Sequence, residues 1–247
     1  MITLAGLSKS FNNKLKIPKA LNNLTLTVKR GEVFGFLGPN GAGKSTTIKL
    51  LLGFLKPDSG SMRINGITLG KTEYRHLVGY LPELPFFYTH LTALETLMLS
   101  GRLAGMDKRQ VKVRSLQLLD RLSLGHAAKL KVGGFSKGMK QRLGLANGLI
   151  HDPPLLIFDE PMSGLDPLGR HQVKELIREL RSEGKTIFFS SHILSDIEEL
   201  CDRIAIIHKG VLLYTGGVTG FVNENKTLEE QFIEIIRNHD EDCHVFA

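Results

Sequence analysis

The sequence predicts an α/β fold with a parallel-sheet core, an antiparallel β edge subdomain and an all-helical insertion, and three observations carry that expectation. An apolar strand, Val33 to Leu37, runs into a glycine-rich loop and then into a helix beginning near Lys44. A second strand, Leu155 to Glu160, stays apolar until it ends in two acids, as a central parallel strand does when both of its faces are covered. Between them, Leu91 to Leu103 and Arg109 to Leu122 carry helical periodicity without strand signals, so they insert helices into an otherwise alternating pattern.

A chain of 247 residues is long enough for one large α/β domain with a full core. The expected organisation is a single domain over 1–247, with a helical subdomain at about 84–150 and a short acidic segment at about 217–247. No apolar run approaches the roughly 20 residues of a membrane-crossing helix, and Met1 to Leu7 lacks the long apolar stretch of a secretory signal, so the chain is expected in the cytoplasm. Cys201 and Cys243 have no metal-ligand spacing and read as reduced thiols without an assigned role. The formal charge of +7 is unevenly spread: from Arg102 to Arg142 eleven Lys/Arg stand against two Asp, a net +9, whereas Asn223 to Asp242 nets −5. The basic stretch is either a solvated face or one that lies near anionic lipid head groups.

Taken in order, Ile2 to Leu7 and Leu24 to Val28 alternate apolar and polar residues, the pattern of half-exposed antiparallel edge strands. Phe11, between them, either packs the edge or stacks on a purine ring. The loop Gly38-Pro39-Asn40-Gly41-Ala42-Gly43-Lys44-Ser45-Thr46 then matches the phosphate-binding pattern G-x-x-x-x-G-K-[ST]. Its glycines let backbone N–H groups turn inward as a nest for the β-phosphate, and the following helix N-terminus adds positive potential. Lys44 reaches the β- and γ-phosphates as a point charge, the Ser45 hydroxyl ligates the magnesium that bridges them, and Thr46 adds an α-phosphate contact. The motif needs a buried strand before it and a helix after it. Gly35 to Leu37 and Thr47 to Leu52 supply both, which makes this a P-loop NTPase core.

After a turn at Lys56 to Gly60, Ser61 to Ile64 reads as a strand and Asn65-Gly66 as a turn. Val78 to Glu83 is a buried strand closed by a proline and one carboxylate, followed by Leu84-Pro85-Phe86-Phe87-Tyr88, an aromatic loop that is either core or an exposed anchor for a partner. Gly133 to Arg142 ends the helical insertion, with Ser136 placed to cap a helix running to Leu149 and to make a second anion site. Asp159 can hold magnesium through a water, and Glu160 can orient or deprotonate the water that attacks the γ-phosphate. Ser163-Gly164-Leu165-Asp166 is a tight turn before a helix from Pro167 to Arg181. A strand from Thr186 to Phe189 then ends at Ser190-Ser191-His192, where the histidine is expected to contact the γ-phosphate.

These five motifs, in this order, resemble the ATP-binding subunit of an ABC transporter across essentially the whole chain. Gly38 to Thr46 is similar to the Walker A loop, Phe135 to Met139 to the family signature, Leu155 to Glu160 to Walker B, Ser163 to Asp166 to the D-loop, and His192 to the switch histidine. Phe11 sits at the adenine-stacking position, where the family usually has tyrosine. The resemblance implies a head-to-tail dimer in which each ATP lies between one subunit's Walker A and the other's signature. Ser136 and Gly138 would then meet the γ-phosphate of the opposing subunit's ATP, and Asp166 of the D-loop would be among the nucleotide-binding residues. It also implies a second ATP-binding subunit, identical or different, and membrane-spanning permease subunits that place this chain on the inner face of the membrane, with no nucleic acid partner.

Two departures bear on direction. Glu83 stands where the family commonly has a magnesium-touching glutamine, and the signature reads F-S-K-G-M rather than L-S-G-G-Q. Both resemble export-type subunits, and a carboxylate at 83 still ligates magnesium. The alternative is a soluble ABC ATPase acting on ribosomes or DNA, but such proteins usually carry two modules or a long coiled coil, for which Glu83 to Ser136 is too short. A GTPase is excluded because Asn225-Lys226-Thr227-Leu228 lacks the acid that reads guanine, and a pure binding module would lack the base at Glu160. The transported substrate is chosen by the membrane-spanning subunits and is not legible here.

Overall fold

A computed structural model describes residues 1–11, 19–68, 72–222 and 226–245, with the side chains of 72 and 242–245 outside the description. Asn225 of the guanine-reading quartet and the Cys243 side chain therefore lie outside the described residues. The chain forms two compact units, Met1–Thr72 with Phe188–Ala247, and Glu73–Ile187.

In the first unit, β1 (Ile2–Lys9) and β2 (Leu21–Val28) pair antiparallel. Then follow β3 (Val33–Leu37), α1 (Lys44–Leu51), β4 (Ser59–Ile64) and β5 (Ile67–Thr68). The edge sheet has the order β2-β1-β4-β5, and along β2 the leucines at 21, 24 and 26 and Val28 are buried while the polar residues between them are exposed. That is the half-buried alternation expected of the edge. Asn65 (φ 52°) and Gly66 (φ 80°) both sit in the left-handed region, as a tight two-residue hairpin between Ile64 and Ile67 requires.

The second unit holds β6 (Val78–Leu81), α2 (Ala93–Leu103), α3 (Lys108–Arg121), α4 (Lys137–Leu149), β7 (Leu155–Asp159) and α5 (Pro167–Ser182). Its helix starts are written in side chains. Thr92 and Glu95 form a reciprocal capping box, Asp107 accepts from Arg109 and Gln110 N–H at 2.7 and 3.0 Å, and Asp166 caps α5 with a proline at the first helical position. Strands β6 and β7 run parallel, Val78 opposite Leu155 and Leu81 opposite Phe158. In the basic stretch, Arg114 pairs with Asp152 and Arg121 with Glu179 and Glu183, while Lys108, Arg109 and Lys112 face solvent.

The chain re-enters the first unit inside β8 (Thr186–Ser191) and continues through α6 (Leu194–Leu200), β9 (Arg203–His208), β10 (Val211–Gly217), α7 (Val218–Phe221) and α8 (Leu228–Val245). Within this unit the strands run β10-β9-β3-β8, with β3 and β9 parallel from Phe34–Arg203 to Leu37–Ile206. Phe188 stacks on Phe34 at 5.9 Å and meets Phe36 at 5.3 Å, so aromatic rings fill the space between adjacent strands. Arg203 lies 5.5 Å over the Phe34 ring and donates to Glu32 at 3.1 Å, fixing the start of β3 against β9. Cys201 is a free thiol whose ionisation is pushed well up, first by burial and then by the charge of Asp202, which disfavours the thiolate. The acidic C-terminal segment contains an 18-residue helix that composition alone did not reveal.

Candidate nucleotide site

The loop after β3 is shaped by backbone contact on both sides. A Cβ on Gly38 would stand 2.3 Å from the Ile207 carbonyl oxygen, and one on Gly43 would stand 2.6 Å from that of Ala20. Gly41 and Gly43 also take φ values of 79° and 115°, which side chains rarely adopt. The β9–β10 turn braces the loop from outside: Gly210 N–H donates to Ala42 O at 2.9 Å, and Asn22 N–H to Gly210 O at 2.8 Å. Lys44 is buried, its Nζ donating to Gly38 O at 2.6 Å and to Pro39 O at 3.4 Å, so the ammonium is carried inside the curve of its own loop. The start of α1 has Gly43 as its cap, with no side-chain hydrogen bond and no acid in the first turn, which leaves its N–H groups and dipole facing outward for an anion. Asn40, Gly41 and Ser45 form an exposed rim, and Thr46 is half-buried.

His192 also belongs to the first unit, exposed just past the end of β8, which neighbours β3. Behind it the Ser191 hydroxyl accepts from Ile193 N–H at 3.0 Å, which fixes the turn that carries the imidazole. Phe11 is 59% exposed.

In the second unit the parallel register of Leu81 and Phe158 puts Pro82-Glu83 and Asp159-Glu160 at the same end of two paired strands. Asp159 and Glu160 are buried and Glu83 is exposed. Glu160 has φ 51°, a left-handed conformation that costs a non-glycine residue on the order of 1 kcal/mol and persists where the surroundings impose it, most often at working sites. The Tyr80 hydroxyl is pushed up to about 12, first by burial and then by the negative charge of Asp159, so it stays protonated beside that carboxylate.

The acidic turn is tied to the signature helix. Gln141 donates through Nε2 to Pro161 O at 3.0 Å, a buried bond from α4 to the residue after Glu160. Ser136 caps α4 by accepting from Met139 N–H at 3.2 Å, as expected, and the Lys137 side chain lies across Gly164, where an added Cβ would meet its Nζ at 1.9 Å. A Cβ on Gly138 would touch only Leu165, at an ordinary 3.7 Å, so nothing in this unit's packing demands glycine there. Asp166 accepts from Gly169 N–H at 2.8 Å, a capping duty that the sequence reading did not assign to it. Of the aromatic loop, Leu84, Phe86 and Tyr88 are exposed, Phe86 by 89%, and Phe87 is half-buried. Tyr80 and Gln141 were missed in the sequence. The only signal for Gln141 was a polar residue at a helical position spaced for burial.

The family model described as ABC transporter matches residues 21–163. An ABC transporter ATP-binding protein of Synechocystis sp. is 46% identical over 213 residues, which cover 85% of this chain and 60% of that one. The Nod factor export ATP-binding protein I of Rhizobium sp. (strain N33) is 41% identical over 226 residues, covering 91% of this chain and 73% of its own length. Among solved structures, a dimeric ATP-binding cassette in a post-hydrolysis state, bound to ADP and Pi, superposes with a TM-score of 0.82 at 26% identity, covering 88% of this chain and 99% of that one.

Proposed function

The chain belongs to the ABC transporter family of ATP-binding proteins, and from there we propose that it hydrolyses ATP to power export through separate membrane-spanning subunits. The observation that carries this reading is the Gly38 to Thr46 loop. Its glycines are enforced by backbone atoms at 2.3 and 2.6 Å, its lysine is held inside the curve, and its helix start is left uncapped by side chains, a set of features that fits a polyphosphate.

The assigned roles follow from chemistry. Lys44 neutralises the β- and γ-phosphates, and Gly38, Pro39, Asn40, Gly41, Ala42, Gly43 and Thr46 form the cradle. Phe11 offers an exposed ring to the base. Ser45, Asp159 and Glu83 are hard oxygen donors suited to magnesium. These donors would hold magnesium, whose charge would offset that of the phosphates. Glu160 takes the proton of the attacking water, and His192 orients the γ-phosphate. Ser136, Gly138 and Asp166 serve the ATP of a second ATP-binding subunit. The likeness to a dimeric cassette supports that assembly, as does a glycine at 138 that its own unit does not need.

The name of the Rhizobium relative supports export, as do Glu83 and the F-S-K-G-M signature. Among the described residues no helix is long and apolar enough to cross a membrane, which supports a chain seated on permease subunits at the inner membrane face. Lys44→Ala tests the reading. Calorimetric titration with magnesium–ATP should lose its binding signal and phosphate release should fall to background, and a variant that keeps both would sink the assignment of the loop.

A further inference from the structure

A side-chain cluster that the nucleotide chemistry does not use lies in the first unit, where α8 meets the end of β9. His208, the last residue of β9, is buried, and α8 brings His239 and Asp240 against it. His208 Nε2 is 2.8 Å from Asp240 Oδ1, and the two imidazole rings meet edge to face with centroids 5.4 Å apart. One ligand atom from each of the three residues lies within 4.8 Å of the others. His208 Nδ1 is buried without a hydrogen-bond partner, so the ring's polar capacity is only half used by the protein.

We propose that His208, His239 and Asp240 form a binding site for a zinc-class divalent cation, which pins helix α8 to the β9–β10 turn. Two imidazoles and one carboxylate are the donor set of borderline cations, whereas magnesium and calcium prefer oxygen alone. Ligands at about 2.1 Å from a tetrahedral ion stand roughly 3.4 Å apart, a spacing these side chains reach with small movements. Asp240 Oδ1 already gathers His208 Nε2 and Lys209 Nζ at 2.8 and 2.7 Å, so one carboxylate oxygen is the point on which the cluster converges. The fourth position is open to water, since the Asp240 side chain is 39% exposed.

Lys209 is the competitor. Its Nζ lies 2.7 Å from the same Asp240 oxygen, and a cation must displace it. The lysine side chain is 50% exposed, and its long stem lets the ammonium move into water. Removing the lysine should therefore tighten metal binding, an effect that a merely structural cluster would not produce.

The test uses the full chain stripped with EDTA, titrated with zinc by calorimetry and with cobalt by visible absorption as a probe of tetrahedral geometry. One site per chain is expected, with no heat from magnesium at the same residues. His239→Gln and Asp240→Asn should each weaken zinc binding at least about tenfold, and Lys209→Met should strengthen it. Absence of binding overturns the proposal, as does binding unchanged in His239→Gln and Asp240→Asn. Should either of those variants fail to fold, Lys209→Met decides alone: tighter binding supports the site, and unchanged or weaker binding overturns it.

Discussion

The glycine loop at Gly38 to Thr46 and the acidic turn at Asp159 to Asp166 reach their shapes by different means. In the loop, the constraint is backbone against missing side chains: Gly38 faces Ile207 O, Gly43 faces Ala20 O, and Gly210 N–H holds Ala42 O. In the turn, the constraint is side chains acting from neighbouring elements. Gln141 reaches across from α4, Asp166 caps α5, and Glu160 is held in a left-handed conformation. A shape made by glycines leaves its mark in the local sequence, even where the backbone atoms that enforce it come from distant elements. A shape made by reaching side chains depends on how distant elements pack, and strain can be stored in it.

The largest expected effect comes from the turn. Glu160→Gln keeps the size and shape of the side chain and one acceptor oxygen but cannot take up the proton of the attacking water, so turnover should fall about 10² to 10⁴-fold while ATP still binds. Light scattering should then show ATP-loaded dimers accumulating, because hydrolysis no longer reopens them. Single-turnover phosphate release checks the first part. Turnover equal to that of the parent would remove Glu160 from its role as base.

A pair of glycine variants breaks or sharpens the comparison directly. Gly38→Ala forces a Cβ to within 2.3 Å of a carbonyl oxygen, and overpacking of that kind costs about 1–3 kcal/mol together with the cradle. Its melting temperature and its ATP affinity should fall together. Gly138→Ala meets only Leu165 at 3.7 Å, so the isolated chain should melt like the parent. Its turnover should still drop, because the new methyl would stand where a second subunit's nucleotide is expected. Gly138→Ala with parental turnover would argue against a partner-facing signature.

The same contrast explains what could be read in advance. The P-loop was legible because its glycine and lysine spacing is a local signal, and the cap at Ser136 was legible because an oxygen before an apolar-periodic run is another; Asp107 carried the same signal but was read only as a charge. The capping role of Asp166 was written in the following proline, yet it was hidden behind the turn that precedes it. The left-handed backbone of Glu160 and the bond from Gln141 to Pro161 were not legible, since both arise from tertiary packing. Helix α8 escaped notice because its acids dominated the composition. Its start was nevertheless spelled out by Thr227 and Glu230, whose reciprocal bonds measure 2.8 and 3.2 Å.

A smaller effect is expected at the aromatic loop. Phe86 is 89% exposed, so Phe86→Ala should leave the stability of the isolated chain within about 0.5 kcal/mol. Basal phosphate release should persist, whereas stimulation by a reconstituted membrane partner should be lost, since an exposed aromatic earns its place by filling a partner's pocket. A strong fall in the melting temperature of the isolated chain would show instead that Phe86 belongs to the fold.

The smallest effect separates the two regions by what supports them. The tie from α4 to the acidic turn is a neutral hydrogen bond, Gln141 to Pro161, while the β9–β10 turn that braces the glycine loop carries Lys209, paired with Asp240 at 2.7 Å. The Asp240 carboxyl titrates near 2 when folded, below its usual value of 3.8, because Lys209 and His208 hydrogen-bond its charged form. A depressed carboxylate contributes stability that is present above the unfolded value and is lost as pH falls through the folded one. Asp240→Asn, measured in EDTA, should therefore melt slightly below the parent at pH 7, and the gap should close between about pH 4 and pH 2. The carboxylate faces solvent, and screening keeps the difference small. A gap that persists unchanged at pH 2 would mean that the asparagine disturbs packing rather than charge, and the brace behind the glycine loop would then be as neutral as the one behind the acidic turn.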